Sequence, residues 1–416
     1  MVTFNELYKK LVFQTVNGSE NDDFANCFND QFDNNQLDCL LNPEKRPPVW
    51  HVGKCSCSPE QQAKCVDCCP FDAIKPLSEG GIEISAEKCV GCSLCIDNCK
   101  GKNLIASHDI IPALKAIRNN PGLSYALVAP AFLGQFSKEV TPGKLRTALK
   151  QIGFDGMVEV SLFADILTLK ESLEFNQNIS KENDYQLTSC CCPIWISMIR
   201  KIYNSLMPHV PGSVSPMIAS GRTIKHLHPD AMTVFIGPCL AKKSEAKEPD
   251  LVGAIDYVLT FQEIRDIFEA LEIDPSKMEE SEKDHSSRAG RIYARTGGVS
   301  EAVKLTAIRL SPEHSVPIRA QQADGIPACK AMINELIAGN INANFYEGMG
   351  CVGGCVGGPK SIIDRSLGRE NVNEYGDSAA YPTPIDNPYV IELLHRLGFD
   401  TVESLLEDSE IFTRHL

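Results

Sequence analysis

Short apolar runs alternate with amphipathic stretches along residues 109–416. The runs SYALVAPA and MTVFIGP are rich in strand-forming residues and end near Pro or Gly, which is typical of strands. The predicted strands are 124–131, 232–238, 255–259 and 318–320, and the predicted helices are 144–152, 194–206, 261–272, 299–308 and 328–337. Because strands alternate with helices, we expect an α/β fold with parallel sheets, arranged as two lobes of one domain.

The first 50 residues differ, because polar segments rich in Asn and Asp (NGSENDD, NDQFDNNQ) separate only short apolar patches. Leu7 and Leu11 belong to a pattern that predicts one helix followed by loops. We expect residues 1–50 to form an N-terminal extension or small cap of unassigned function. Cys27 and Cys39 lie in this segment without ligand spacing, which favours buried or free thiols.

Composition narrows the class of protein. The 416 residues are enough for two or three domains, and 43% hydrophobic with 23% charged residues is ordinary for globular protein. No run approaches the length of a membrane span and no signal-peptide pattern opens the chain, so we expect a cytoplasmic protein without membrane association. With 54 acidic against 40 basic residues the net charge is −14, which disfavours nucleic acid as a partner.

Cysteine is the unusual residue. The chain has 18, of which eleven lie at or before Cys99 and none between Cys99 and Cys190. In a cytosolic protein this number indicates metal clusters rather than disulfides. The dense block and the scattered remainder predict two different kinds of metal binding.

The dense block contains a ferredoxin pattern. KCVGCSLCIDNCKG has the C-x2-C-x2-C-x3-C spacing of bacterial-type ferredoxins, whose last cysteine ligates the other of two clusters. The first half is irregular but keeps the C-x3-C-P ending. One predicted 4Fe–4S cluster uses Cys89, Cys92, Cys95 and Cys69, and the other uses Cys99 with three of Cys55, Cys57, Cys65 and Cys68, of which we favour the first three. Cys68 is then spare, His51 is a remote alternative ligand, and a zinc ribbon accounts poorly for this spacing.

Three separated loops carry the later thiols. They read TSCCCPIW (188–195), IGPCLA (236–241) and EGMGCVGGCVGGPK (347–360). Thiolates are soft ligands suited to iron–sulfur clusters, zinc and copper. Four cysteines from these loops could enclose one cubane, although spacing alone cannot show that the loops meet. The glycines around Cys355 are expected to let backbone lie close against a cluster.

These three loops, in this order and beside a two-cluster domain, resemble the signature loops of the FeFe-hydrogenases over about residues 51–416. The resemblance implies that Cys192, Cys239 and Cys351 hold a 4Fe–4S cubane. It implies that Cys355 holds the cubane and also bridges it to a di-iron subsite with CO, cyanide and an amine-containing dithiolate. This whole group is the H-cluster, whose di-iron part is inserted by maturation enzymes.

The resemblance also assigns residues around the H-cluster. Lys242 matches a lysine that hydrogen-bonds a cyanide, a charge-assisted pair, whereas Lys243 fits an ordinary surface lysine. Cys191 matches the cysteine that relays a proton. Glu171 and Glu174 match carboxylates of a proton path, and their spacing places them on one helix face; the alternative is a solvated acidic face. The implied pocket-lining residues are Pro130, Pro216, Tyr293 and Met349.

Several positions depart from the family pattern. Cys190 is an extra thiol in the first loop, and Gly237 stands where a methionine usually covers the di-iron site. Pro211 falls where a serine commonly joins the proton path, so the outer route needs another donor or a water. Met217 replaces a polar residue, and the last loop ends at Lys360 after a shorter glycine run. We interpret the chain as a divergent branch with a complete ligand set.

The resulting expectation is an α/β catalytic domain of two lobes around a buried metal cluster (109–416, including a Pro-rich C-terminal wrap). A small α+β ferredoxin-like domain with two 4Fe–4S clusters (51–108) precedes it, after the extension at 1–50. The implied reaction is 2H⁺ + 2e⁻ ⇌ H₂, with a ferredoxin-type electron carrier as partner, because no flavin or nicotinamide fingerprint occurs. The alternatives are a slow hydrogen or redox sensor and an iron–sulfur assembly protein without the di-iron subsite.

Overall fold

The computed structural model describes residues 2–18, 32–53, 55, 57–78, 80–188, 191–281, 285–313 and 316–415. Cys27 and Cys190 lie outside these residues. The helices are α1 (Phe4–Val16), α2 (Asn34–Leu41), α3 (Pro59–Asp67), α4 (Leu94–Asn98), α5 (Ile110–Asn119), α6 (Pro142–Ile152), α7 (Ser161–Asn178), α8 (Pro193–Lys201), α9 (Pro216–Leu227), α10 (Ala241–Glu245), α11 (Phe261–Ala270), α12 (Arg288–Arg291), α13 (Gly298–Leu310), α14 (Ile326–Ile337), α15 (Arg365–Asp377) and α16 (Pro388–Arg396). The strands are β1 (Val49–His51), β2 (Ile74–Pro76), β3 (Ile82–Ile84), β4 (Leu104–Ala106), β5 (Ser124–Val128), β6 (Gly156–Glu159), β7 (Gln186–Leu187), β8 (Met232–Gly237), β9 (Tyr257–Thr260), β10 (Ala320–Asp324) and β11 (Phe345–Met349). In the described ranges no helix has both the length and the apolarity to cross a membrane.

Two parallel sheets organise the larger part of the molecule. One has four strands in the order β6–β5–β8–β9, and the other has three in the order β10–β11–β7. The predicted α/β architecture with parallel sheets is therefore confirmed. Each sheet has its own buried apolar cluster, with Leu127 and Val234 in the first and Trp195 and Phe345 in the second.

Some predicted boundaries were wrong. The helix predicted at 194–206 ends at Lys201, and a 3-10 turn with Pro208 inside it follows at Asn204–His209. The strand predicted at 318–320 begins at Ala320 and runs to Asp324. Helix α7 was expected only at Glu171 and Glu174. Its full extent was missed because most of its residues are buried around the whole circumference, so it has no amphipathic stripe to detect.

In the described part of residues 1–50, α1 packs against the main core. Leu7 and Leu11 of α1 are fully buried in the same cluster as the four-stranded sheet. Tyr8 of α1 donates a 2.8 Å hydrogen bond to Asp266 of α11. Helix α2 was not predicted, and Cys39 within it is a buried free thiol, as expected.

The block at 51–108 contains two antiparallel strand pairs, β1–β4 and β2–β3, together with α3 and α4. Its small core holds Val49, Ile74 and Leu104, and Leu240 of the larger part packs into it. Because β1 begins at Val49, a boundary at residue 50 would cut the strand that closes this block.

Candidate metal centre

The chemically distinctive residues follow the carboxyl ends of parallel strands. Pro130 follows β5, Cys239 follows β8 and Cys351 follows β11. Loops at the carboxyl ends of parallel strands are where α/β folds place ligand sites. The ends of both sheets open onto one cavity with about 770 Å³ of empty space, including space open to solvent.

All four thiols implied as H-cluster ligands line this cavity, together with Cys191. The residues implied around it line it as well, namely Lys242, Pro130, Pro216, Tyr293 and Met349. Cys192 is anchored because its Sγ accepts a 3.2 Å hydrogen bond from the backbone N–H of Gly350. The structure therefore brings together the three loops that the sequence could not join.

Burial dominates the electrostatics of these thiols. It raises the pKa of Cys355 to about 12 and that of Cys239 to about 11, with neighbouring thiols adding to the effect. The pKa of Cys351 lies well above its usual value for the same reasons. Buried thiols of this kind are inert unless a cation is present to favour the thiolate.

The donor set fits a cluster better than a single ion. Within the described part of the chain, no three His, Cys, Asp or Glu side chains form a group that could hold one metal ion. A cubane is larger than an ion, so its four thiolates stand farther apart. Cys192, Cys239, Cys351 and Cys355 around one apolar cavity match that requirement.

The glycines of the last loop allow close contacts within the protein as well as with a cluster. A Cβ on Gly354, whose φ is +84°, would lie 2.7 Å from the Thr296 backbone nitrogen. A Cβ on Gly358 would lie 2.8 Å from the Pro238 carbonyl oxygen. The expectation that these glycines mainly admit a cluster was incomplete, because their missing side chains let the loop contact the rest of the site at close range.

The two adjacent lysines have separate partners. The ammonium group of Lys242 lies 2.7 Å from Glu245 Oε2, and both residues are buried. Burial disfavours this charge, but Glu245 and the nearby thiols keep the pKa of Lys242 above its usual value. The surface interpretation of Lys243 was wrong: its side chain is 2% exposed and lies 3.3 Å from Asp109 and 3.2 Å from Glu263.

Glu171 and Glu174 do not form a solvated acidic face. Glu171 is 1% exposed, and the side chain of Glu174 is 12% exposed. The Oε1 atom of Glu174 lies 2.8 Å from Nζ of buried Lys170, a partner that the sequence did not suggest. Burial raises the pKa of Glu174, and Lys170 opposes that rise.

Phe235 fills the space beside Gly237. A Cβ on Gly237 would lie 2.8 Å from the Phe235 ring and 3.1 Å from the Ala129 Cβ. Phe235 also lines the cavity. An aromatic ring from two residues earlier on β8 therefore takes up the room beside Gly237.

The thiols of the 51–108 block fall into two groups. The pKa values of Cys57 and Cys65 are both raised. The main cause is a hydrogen bond with Cys55 for Cys57 and burial for Cys65, and charge interactions with Cys55 and Cys99 add to both. The second group is Cys69, Cys89, Cys92 and Cys95, and Cys68 lies beside it. The Cys68 thiol donates to the Cys65 carbonyl oxygen at 3.2 Å. The assignment of these thiols to two cluster ligand sets stays a prediction.

The second of these groups lies beside the segment that follows Cys239. Gly91, at φ +72°, packs so closely that a Cβ would lie 3.1 Å from the Ala241 Cα and 3.1 Å from the Leu240 carbonyl oxygen. Ser244 Oγ donates to the Cys89 carbonyl oxygen at 3.2 Å. Cys92, Cys239 and Cys351 accordingly contact the same apolar cluster.

A model of the family "Iron only hydrogenase large subunit, C-terminal domain" matches residues 123–359. This range is more than half of the chain and includes the cysteines of all three loops. The chain belongs to the iron-only hydrogenase family.

Curated members and relatives of the family are distant. Iron hydrogenase 1 of Clostridium pasteurianum is 28% identical over 298 residues, which cover 62% of this chain and 52% of that protein. A cytosolic Fe-S cluster assembly factor NAR1 homolog of Schizosaccharomyces japonicus is 23% identical over 242 residues, covering 49% of this chain and 47% of that protein. The chain therefore matches about half the length of these relatives.

The fold also matches a solved member of the iron-only hydrogenases. FeFe-hydrogenase HydA1 from Chlamydomonas reinhardtii superposes with a TM-score of 0.62 at 21% identity, covering 74% of this chain and 98% of that one. This similarity concerns the fold.

Sequence reasoning missed part of the iron-only hydrogenase site. Phe235, Val160 and Ala164 line the cavity without belonging to any of the three loops. Val160 directly follows β6, so the strand-end rule could have found it. Glu347 was quoted only as part of a loop, yet it is fully buried and accepts hydrogen bonds from the Gly297 and Ser300 backbone N–H groups at the start of α13.

Proposed function

We propose that this protein is a hydrogenase that interconverts protons and electrons with H₂. The observation that carries the proposal is one apolar cavity lined by Cys191, Cys192, Cys239, Cys351 and Cys355. Four of these thiols suffice for a cubane, which leaves one cysteine for proton transfer.

In this proposal Cys192, Cys239 and Cys351 hold the cubane, and Cys355 holds both the cubane and the di-iron group. When bound, the di-iron group supplies the redox chemistry that interconverts H₂ with protons and electrons. The chain supplies the surroundings: Lys242 presents a positive charge to an anionic ligand, and Phe235 with Met349 limits access of water.

The chain also handles the proton. Cys191 lines the cavity, so its thiol can pass a proton to or from the reacting group. Glu171 and Glu174 continue the route along one face of α7, away from the cavity. Burial raises the pKa of Glu174, which brings a carboxyl group closer to the range useful for proton transfer at neutral pH.

Electrons reach the cavity through the 51–108 block in this proposal. Cys69, Cys89, Cys92 and Cys95 would hold the inner 4Fe–4S cluster, next to the Cys239 loop. Cys55, Cys57, Cys65 and Cys99 would hold the outer 4Fe–4S cluster, which would exchange electrons with a ferredoxin-type carrier. We further propose a cytoplasmic location and maturation enzymes as transient partners.

The second candidate is an iron–sulfur assembly protein without the di-iron group. The similarity to a cytosolic Fe-S cluster assembly factor favours it. Cys191 in the cavity, buried Lys242 and buried Glu171 count against it, since a protein that only holds clusters has no use for a proton route.

Infrared spectroscopy of protein matured with the full cofactor separates the two candidates. A hydrogenase should show bands of iron-bound CO and cyanide that shift under H₂, and it should produce H₂ from reduced ferredoxin. Cys355→Ala should abolish both while the ferredoxin-type clusters keep their electron paramagnetic resonance signals. Cys39→Ala, a buried thiol elsewhere, is the matched control. Absence of the diatomic bands from matured wild type would overturn the enzyme proposal.

A further inference from the structure

A second cavity lies at the C-terminal end of α7. It has about 800 Å³ of empty space, including space open to solvent. Its lining is mostly polar and comprises Asn178, Ile179, Asn183, Asp184, Tyr185, Gln186, Pro208, His209, Val210 and Pro211. Nothing in the proposed function so far uses this cavity.

Three side chains on α7, on β7 and directly after β7 have buried polar atoms without a hydrogen-bond partner among the described residues. They are Glu174 at Oε2, Gln186 at both amide atoms and Thr188 at Oγ1. Gln186 is 3% exposed and Thr188 is fully buried. Buried polar atoms are costly without partners, and ordered water is the usual partner where protein supplies none.

Two segments connect this cavity with the metal cavity. Ala164 of α7 lines the metal cavity and Asn178, at the end of the same helix, lines the second, about 21 Å farther along the helix axis. Gln186 lines the second cavity and Cys191, five residues later, lines the first. Helix α7 therefore runs from one cavity to the other, and Gln186 and Cys191 each line one of the two.

The unpartnered groups lie along these two segments. Gln186 and Thr188 are two residues apart on an extended segment, so their side chains lie on the same face. Leu187, on the opposite face, is buried in the apolar cluster. Glu174 lies one helical turn before Asn178. We name Glu174, Gln186 and Thr188 the polar seam.

We propose that the polar seam holds a row of buried water molecules that carries protons between Glu174 and the second cavity. This inference rests on the proposed hydrogenase function and specifies its outer proton route. The transfer moves protons only: a protonated Glu174 gives its proton to a seam water, which passes one of its own toward the cavity. The carboxylate left behind is protonated again from the Glu171 side.

Local chemistry supports this route. Lys170 engages Oε1 of Glu174, which leaves Oε2 as the atom available to water. Pro211, in the wall of the second cavity, has neither a hydroxyl nor a backbone N–H to offer. The amide of Gln186 has two donor hydrogens and an acceptor oxygen, so it can orient water on both sides. His209 is also in the wall, and its ring nitrogens can form hydrogen bonds with water.

The first test does not need the di-iron group. A high-resolution crystal structure of the protein without that group should show ordered water within hydrogen-bond distance of the Gln186 amide and of Glu174 Oε2. Gln186→Leu should remove these waters. A dry seam in the wild-type protein would overturn the proposal whether or not the protein is a hydrogenase.

The second test uses the matured enzyme. Gln186→Leu should lower H₂ production at least 5-fold and enlarge the solvent deuterium isotope effect, with cluster spectra unchanged. Gln186→Asn, which keeps a donor and an acceptor, should retain an intermediate rate. Gln321→Leu, on β10 of the same sheet, is the matched control and should retain the wild-type rate.

The outcomes separate the two proposals. An active wild type whose rate and isotope effect are unchanged by Gln186→Leu would overturn the seam and leave the hydrogenase. A wild type without hydrogen turnover but with a hydrated seam would overturn the hydrogenase. Equal loss of rate in Gln186→Leu and Gln321→Leu would indicate a general packing defect and would reject a specific role for Gln186.

Discussion

Gly91 and Ala241 meet with no room for a methyl group between them. A Cβ on Gly91 would lie 3.1 Å from the Ala241 Cα. This contact brings the Cys89–Cys92 turn of the 51–108 block close to the loop of Cys239. In the proposed enzyme, electrons cross the distance between these two segments in the last step of their transfer to the cavity.

Gly91→Ala should therefore slow electron delivery. The substitution forces the two backbones apart and places a side chain at φ +72°, which costs about 1 kcal/mol by itself. We expect H₂ production from reduced ferredoxin to fall several-fold while both 4Fe–4S signals persist. Gly81→Ala is the control, because Gly81 has φ +98° but a Cβ added there would meet no atom within 4 Å. Equal rates in the two variants would contradict this interpretation.

Gly237→Met should destabilise the protein because the space is occupied by Phe235. Overpacking of this kind costs about 1–3 kcal/mol in the free energy of unfolding. Phe235→Ala leaves a void and should cost about 3–5 kcal/mol. The double variant should be more stable than the sum of the two losses implies, as measured by urea denaturation. Strict additivity would show that the two side chains do not compete for one space.

Lys243→Met should be strongly destabilising. The ammonium group lies between Asp109 and Glu263, and removal of one partner from a buried ion pair costs about 3–5 kcal/mol. Lys304→Met, at an exposed position of α13, should change the free energy of unfolding by less than about 0.5 kcal/mol. Similar stability of the two variants would restore the surface interpretation of Lys243.

Asp165 should make stability depend on pH. Burial raises its pKa to about 7 from the usual 3.8, although Ser287 and Gly290 donate hydrogen bonds to it. Between pH 4 and pH 7 the folded chain keeps a proton that the unfolded chain has released. The free energy of unfolding therefore falls as pH rises through this window, by up to about 4 kcal/mol for this group.

Asp165→Asn should remove that contribution. Its free energy of unfolding should decrease less than that of wild type between pH 4.5 and pH 7.5, as measured by urea denaturation. Burial lowers the pKa of His108 to about 4, which acts in the opposite sense but equally in both proteins, so the difference isolates Asp165. Asp400→Asn, at an exposed position, should follow the wild-type curve.

The sequence predicted best where chemistry restricts residue choice. Cys192, Cys239 and Cys351 each stand beside Pro or Gly in a short loop, and the structure places them on one cavity. Strands β5 and β8 were visible because both are short, apolar and followed closely by proline. The two sheets could be expected from alternation alone.

The features that the sequence did not predict depend on contacts between residues that are distant in sequence. Helix α7 has no polar face, because it is packed on nearly all sides. In the sequence, Lys243 cannot be distinguished from an exposed lysine. Its buried ion pairs are formed with Asp109 and Glu263, which are distant in sequence. The packing of Phe235 beside Gly237 could not be predicted from the sequence, because it depends on the orientation of the Phe235 ring in the folded structure. Gln186 belongs to no sequence motif. Its proposed role rests on the lack of hydrogen-bond partners for its amide among the described residues.

The division of ligands between the two sheets bears on how such a molecule could arise. Cys239 follows the four-stranded sheet, whereas Cys192, Cys351 and Cys355 follow strands of the three-stranded sheet. In the proposed ligand set, neither lobe alone supplies all four cysteines of the cubane. A protein formed by recombination that replaced one lobe would therefore lack part of the proposed ligand set. The two lobes must be inherited together as one unit.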